Sequence, residues 1–113
     1  MSTDDRDGAK AGAAIAATRT RAATDLLPKY VAHRERDVAT LRAALAQGDF
    51  ETMARIGHNL RGNGVSYGFP EIAALGEAME QAVTARQARG IEAQVALLEE
   101  WLARVGARVR TER

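Results

Sequence analysis

No cysteine occurs among the 113 residues, and that one absence removes a disulfide scaffold, a thiolate zinc site and a cysteine nucleophile together. It also fits a reducing compartment, so the cytoplasm is the expected location. Aromatic residues make up only 4% of the chain while hydrophobic residues of all kinds reach 46%. The core is therefore expected to consist of Ala, Leu, Val, Ile and Met, a composition that favours helices over sheets. No run approaches the roughly 20 apolar residues that cross a bilayer. The opening Asp4, Asp5 and Asp7 are unlike the basic and then apolar start of a secretory signal. Sixteen basic against fifteen acidic side chains leave a net charge of +1, so charge gives no reason to expect nucleic acid or a membrane as partner.

What is present is periodic. A chain of this length supports one core and one domain. Residues 1–12 are small, charged and without apolar period, and are expected to be a flexible leader. Residues 13–23, Ala-rich around Ile15, suit a short extra helix covering one end of the domain, which would occupy 13–110 with 111–113 frayed. Leu27, Val31, Val38, Leu41 and Leu45 recur at spacings of three, four or seven, with Arg34 interrupting the row. That spacing predicts a helix over about 25–47, capped by Thr24 or Asp25, tolerating Pro28 in its first turn and ended by Gly48.

Asp49 is the expected N-cap of a second helix with Met53, Ile56 or Gly57, Leu60 and Gly64 inward. Gly68 and Pro70 mark the next break. A third helix carries Ile72, Leu75, Gly76, Met79 and Val83 on one face, with Gly90 closing the turn after it. A fourth carries Ile91, Val95, Leu98, Leu102, Val105 and Val109. Each stripe must be buried and the connections are short, so sequential helices are antiparallel neighbours. The fold expected is all-α, an antiparallel up-down-up-down four-helix bundle.

Chemistry concentrates late in the second helix, at His58-Asn59-Leu60-Arg61-Gly62-Asn63-Gly64. At 100° per residue His58 lies about 160° from Leu60, so it faces solvent. Arg61 and Gly62 follow on the same strip, which Arg55 and Val65 continue. A solvated imidazole is mostly unprotonated at neutral pH, and its lone pair can attack phosphorus. Arg61 supplies a permanent charge for phosphoryl oxygens. A side chain at Gly62 would lean over the turn carrying His58. Glycine there costs a helix about 1 kcal/mol relative to alanine, a penalty that close approach of a partner protein to the imidazole would justify.

Together, Gly48-Asp49-Phe50, His58-x-Leu60-Arg61-Gly62-Asn63-Gly64, Gly68-Phe69 and the preceding Leu26-Leu27-Pro28 resemble the histidine-containing phosphotransfer (HPt) family over roughly residues 25–105. The resemblance implies that His58 is phosphorylated on the ring nitrogen distal to the backbone. Arg61 would stand where the family usually has Lys, and Gly62 would be the close-approach glycine. The Arg keeps the charge but replaces a compact ammonium with a planar fork, which bears on partner preference. Such proteins exchange phosphoryl groups with response-regulator receiver domains and a sensor or hybrid histidine kinase, without kinase activity or a cofactor of their own. Mg2+ is expected only in the partner receiver. The acidic leader favours a separate polypeptide, and a monomer is expected.

Docking is expected around Arg55, Val65, Asn63 and Gln81. Either Glu80 or Gln81 would approach His58, a choice that depends on helix rotation. His33, in the charged stretch Arg34-Glu35-Arg36-Asp37, is expected on a solvated helix face rather than at a second site. Arg104, Arg108, Arg110 and Arg113 are expected to complement a helix C-terminus. No His pair or carboxylate cluster near His58 has metal-ligand spacing. Two other classes remain. A phosphorylation-independent docking module would bind a receiver or kinase regardless of His58. A nucleic-acid-associated helical protein would show steeply salt-dependent binding through its arginines.

Overall fold

The computed structural model describes residues 26–111. The leader, the 13–23 helix, the Thr24 or Asp25 cap and residues 112–113 lie outside the described residues. Within them are four helices and no strand: α1 (Leu27–Gln47), α2 (Phe50–Ser66), α3 (Pro70–Thr84) and α4 (Ala88–Thr111). Each packs mainly on its two neighbours in the ring α1–α2–α3–α4, which is the expected bundle. Among the described residues no helix is long and apolar enough to cross a membrane.

The caps follow from local sequence. Pro28 sits in the first turn of α1, where its missing N–H costs nothing. Asp49 caps α2: Thr52 N donates to Oδ1 at 3.1 Å and Thr52 Oγ1 to Oδ2 at 2.6 Å. These bonds hold the Asp49 carboxyl below its ordinary range, the side-chain bond contributing most. Gly48 and Gly68 take left-handed φ values of 68° and 76°, as their expected turn roles require.

The third break differs from expectation. Gly90 lies within the first turn of α4 and closes nothing. The left-handed residue after α3 is Arg86, at φ 52°. Its N–H donates to Val83 O and that of Gln87 to Ala82 O, both at 2.9 Å, the paired bonding that ends a helix. Arg86 accepts this unfavourable backbone while its guanidinium lies 4.9 Å over the Phe50 ring, an attraction that glycine could not make.

The predicted stripes converge on one core, where Leu41, Met53, Leu60, Ile72, Met79, Ile91, Val95 and Leu98 are essentially fully buried. The expectation of a core without aromatics needs correction. Tyr30 and Trp101 are buried and, with Tyr67 and Phe69, form one cluster with centroid separations of 5.0–6.0 Å. Few aromatics suffice because four of them meet at one place, joining α1, the α2–α3 connection and α4. Such pairs contribute about 0.5–1.5 kcal/mol each beyond area burial.

The α2–α3 contact is the closest in the bundle and rests on glycine. A Cβ at Gly64 would fall on the backbone N of Ala73, and one at Gly76 on the backbone N of Arg61, with Gly57 O 2.6 Å away. These two helices therefore touch backbone to backbone, and that contact fixes which α3 side chains reach His58.

Candidate functional site

His58 projects from the middle of α2 with its side chain 66% exposed, as the helical phase predicted. Gly57, its chain neighbour, is pressed against Gly76 of α3. Glu80 lies one turn beyond Gly76, and this placement brings its carboxylate to the imidazole: Oε2 is 3.2 Å from His58 Nδ1. The choice between Glu80 and Gln81 thus falls to Glu80. Gln81 is exposed and lines the α2–α3 groove with Arg61, Glu77, Glu80 and Thr84.

Glu80 also faces Arg61, whose Nε stands 3.2 Å from Oε1. This is an ion pair without hydrogen-bond alignment, so the buried Oε1 has no hydrogen-bond partner. Thr84 Oγ1 donates to the Glu80 backbone carbonyl at 3.0 Å. One carboxylate therefore spans the histidine and the arginine a turn further on.

A carboxylate only accepts, so the Glu80 contact assigns the ring proton to Nδ1. Nε2 then carries the lone pair. It is the nitrogen distal to the backbone, and the exposure of the ring leaves it open to an incoming electrophile. Arg61, with its side chain 49% exposed, retains donors for an anion beside it.

Gly62 is exposed, and a Cβ built there meets nothing within 4 Å. Packing inside the chain does not require this glycine, whereas it does require Gly64 and Gly76. Arg55 is exposed on the same strip, and Val65 is 65% exposed. Asn63 differs from the other docking candidates because it is half-buried and its Oδ1 accepts the Tyr30 hydroxyl at 2.6 Å. Its side chain ties α1 to α2.

Arg34 belongs to the charged stretch expected on a solvated face, yet its side chain is only 13% exposed. Its guanidinium lies 4.6 Å over the Tyr30 ring and its Nε donates to Asp37 Oδ2 at 2.8 Å. Burial raises the Tyr30 hydroxyl above its ordinary value of 10.0, and the neighbouring Arg34 opposes that rise. Arg34 lines a shallow groove with His58, Asn59, Gly62, Asn63, Ser66 and Tyr67. The signal was available in the sequence: Arg34 occupies the register position between Leu27 and Leu41, where the stripe calls for a core residue.

His33 is exposed, with its Nδ1 2.8 Å from Arg36 Nη2, consistent with a solvated face. Arg108 and Arg110 do occupy the last turn of α4. Arg104 instead bonds Glu71 at 2.8 Å, and Arg113 lies outside the described residues. Among the described residues no three His, Asp or Glu side chains converge as a metal site would require.

A family model of the Hpt domain matches residues 25–108. No curated protein and no solved structure matches the chain. With the matched segment spanning all of α1, α2 and α3 and nearly all of α4, the chain belongs to the Hpt domain family, whose members carry out histidine phosphotransfer in two-component systems.

Proposed function

We propose that this protein carries a phosphoryl group on His58 Nε2, accepting it from a phospho-aspartate of a receiver domain, or through one from a hybrid kinase, and passing it to the aspartate of another receiver. The observation that carries this reading is the exposed imidazole whose Nδ1 is held 3.2 Å from Glu80 Oε2 while Nε2 stays open.

In the forward step Nε2 attacks phosphorus in line. The N–P bond forms, the P–O bond to the donor aspartate breaks, and the aspartate leaves as a carboxylate. The ring keeps its Nδ1 proton and becomes cationic, and Glu80 stabilises that charge. Arg61 offsets the charge on the phosphoryl oxygens. In the reverse step an acceptor carboxylate displaces the imidazole, which returns neutral. The open space over Gly62 admits the partner to in-line distance, and positioning of this kind supplies much of the rate in phosphoryl transfer. Arg55 and Val65 flank the docking surface, with Gln81 on its α3 side. Arg61, Gly62 and His58 form its centre. The partner receiver brings the Mg2+, and the protein acts as a cytoplasmic monomer.

The test is phosphoryl acceptance from a panel of radiolabelled phospho-receivers. Wild type should take up acid-labile, alkali-stable label, and His58→Gln should take up none while His33→Gln remains active. Partner binding without transfer in either direction, and indifferent to His58→Gln, would support a docking module instead.

A further inference from the structure

The two flanks of α2 are chemically different. On the α3 side Glu80 already partners Arg61, next to His58. On the α1 side the groove that includes His58 contains a second guanidinium, that of Arg34, which is paired with Asp37 rather than with Glu80 and which the phosphotransfer reaction above does not use.

Arg34 is built into place. The Tyr30 ring lies 4.6 Å beneath its guanidinium carbon, and the Nε bond to Asp37 tethers it from a second side. Tyr30 is itself anchored by the hydrogen bond to Asn63 on the far wall of the groove. A guanidinium held at two faces cannot swing toward a distant group, and little side-chain entropy remains to be lost when it is bound. At 13% exposure the side chain is largely shielded from solvent, which strengthens its pull on a carboxylate reaching the guanidinium, against the partial offset of the Asp37 charge. The groove floor at Gly62 is open, which leaves room for a partner's side chain to enter.

We propose that Arg34 is a specificity-determining docking residue that receives a carboxylate from the receiver surface, in the α1–α2 groove beside His58. This rests on the reading of His58 as a site that receivers visit. Arg34 and Arg61 then divide the work: Arg61 serves the phosphoryl group and Arg34 selects the protein that brings it.

The experiment titrates receiver domains onto the full chain as wild type, Arg34→Met, Arg34→Lys and His58→Gln, with affinity measured calorimetrically from about 50 to 300 mM salt. Transfer is followed in parallel at rising receiver concentration. Arg34→Met keeps an aliphatic stem over Tyr30. It should weaken binding about tenfold, flatten the salt dependence and raise the half-saturating receiver concentration, with the saturating rate and the lifetime of phosphorylated His58 unchanged. Arg34→Lys should recover part of the affinity and all of the salt slope, and it carries the comparison if the Met variant unfolds. Unchanged affinity and salt slope in both variants would overturn the proposal. So would a shortened phosphohistidine lifetime at unchanged affinity, which would put the guanidinium on the phosphoryl group. Receiver binding by wild type without transfer refutes the His58 reading alone, because the Arg34 comparison is still read from binding. Failure of every receiver to bind overturns both.

Discussion

Glu80 Oε2 lies 3.2 Å from His58 Nδ1, and under the proposed phosphotransfer this one contact selects Nε2 as the attacking ring nitrogen. Glu80→Ala releases the ring to sample both tautomers and removes the charge that stabilises the phosphorylated imidazolium. Acceptance should slow by about tenfold or more, with the circular dichroism spectrum unchanged. The imidazole 15N shifts of wild type should report a proton on Nδ1, and those of Glu80→Ala a mixture. Glu80→Gln, whose amide oxygen can still accept from Nδ1 but carries no charge, should restore the Nδ1 proton signal more fully than the rate, a separation that a purely structural role would not produce.

Gly62 separates function from stability. A side chain at this position meets nothing inside the chain, and glycine is a poor helix former. Gly62→Gln should therefore stabilise the fold by about 0.5 kcal/mol while slowing transfer from a receiver. Wild-type rates in that variant would remove the close-approach argument.

Gly76 couples the fold to the site. Its added Cβ would fall on the Arg61 backbone, so Gly76→Ala must push α3 away from α2. The expected loss is about 1–3 kcal/mol, read from denaturant midpoints. Transfer should fall as well, because Glu80 retreats from His58 along with α3. Retention of both full stability and full activity would show that the helices do not need this contact.

Acid unfolding should carry the signature of Asp49. Its folded pKa is lowered from 3.8, chiefly by the Thr52 side-chain hydrogen bond. Its ionised form therefore contributes stability that is fully present above 3.8 and is lost as pH falls through the lower folded value. Asp49→Asn keeps a capping oxygen but no charge. The thermal midpoint of wild type should exceed that of the variant at neutral pH, and the gap should close in acid. A gap that persists at low pH would assign the difference to cap geometry rather than charge.

The sequence made the helices legible wherever one principle acted alone. Asp49 capped as its side chain dictates, Pro28 and Pro70 sat in first turns, and Gly48 and Gly68 turned left-handed. Expectation failed where two side chains settled the matter between them. Arg86 occupies a left-handed position with Phe50 under its guanidinium, and nothing local announces that partnership. The aromatic cluster is not legible because Tyr30, the Tyr67–Phe69 pair and Trp101 are far apart in sequence and too few to weigh in composition. At the site, exposure of His58, Arg61 and Gly62 followed from helical phase. The choice of Glu80 over Gln81 did not, because it depends on the depth to which Gly57 and Gly76 let two helices sink together. Arg34 is visible as a break in the α1 stripe, although the charged stretch around it suggests a solvated face. A charge at a core register position marks a partner to be found, and here that partner was the Tyr30 ring.

The proposed carrier role requires phosphorus to bond to Nε2 of His58. The most direct test is NMR of the 15N-histidine-labelled protein after phosphorylation by a phospho-receiver, with the 31P–15N coupling assigned to an individual ring nitrogen. A coupling to Nε2 of His58, with Nδ1 still protonated, is the predicted result. Coupling to Nδ1, or to His33, would contradict the account.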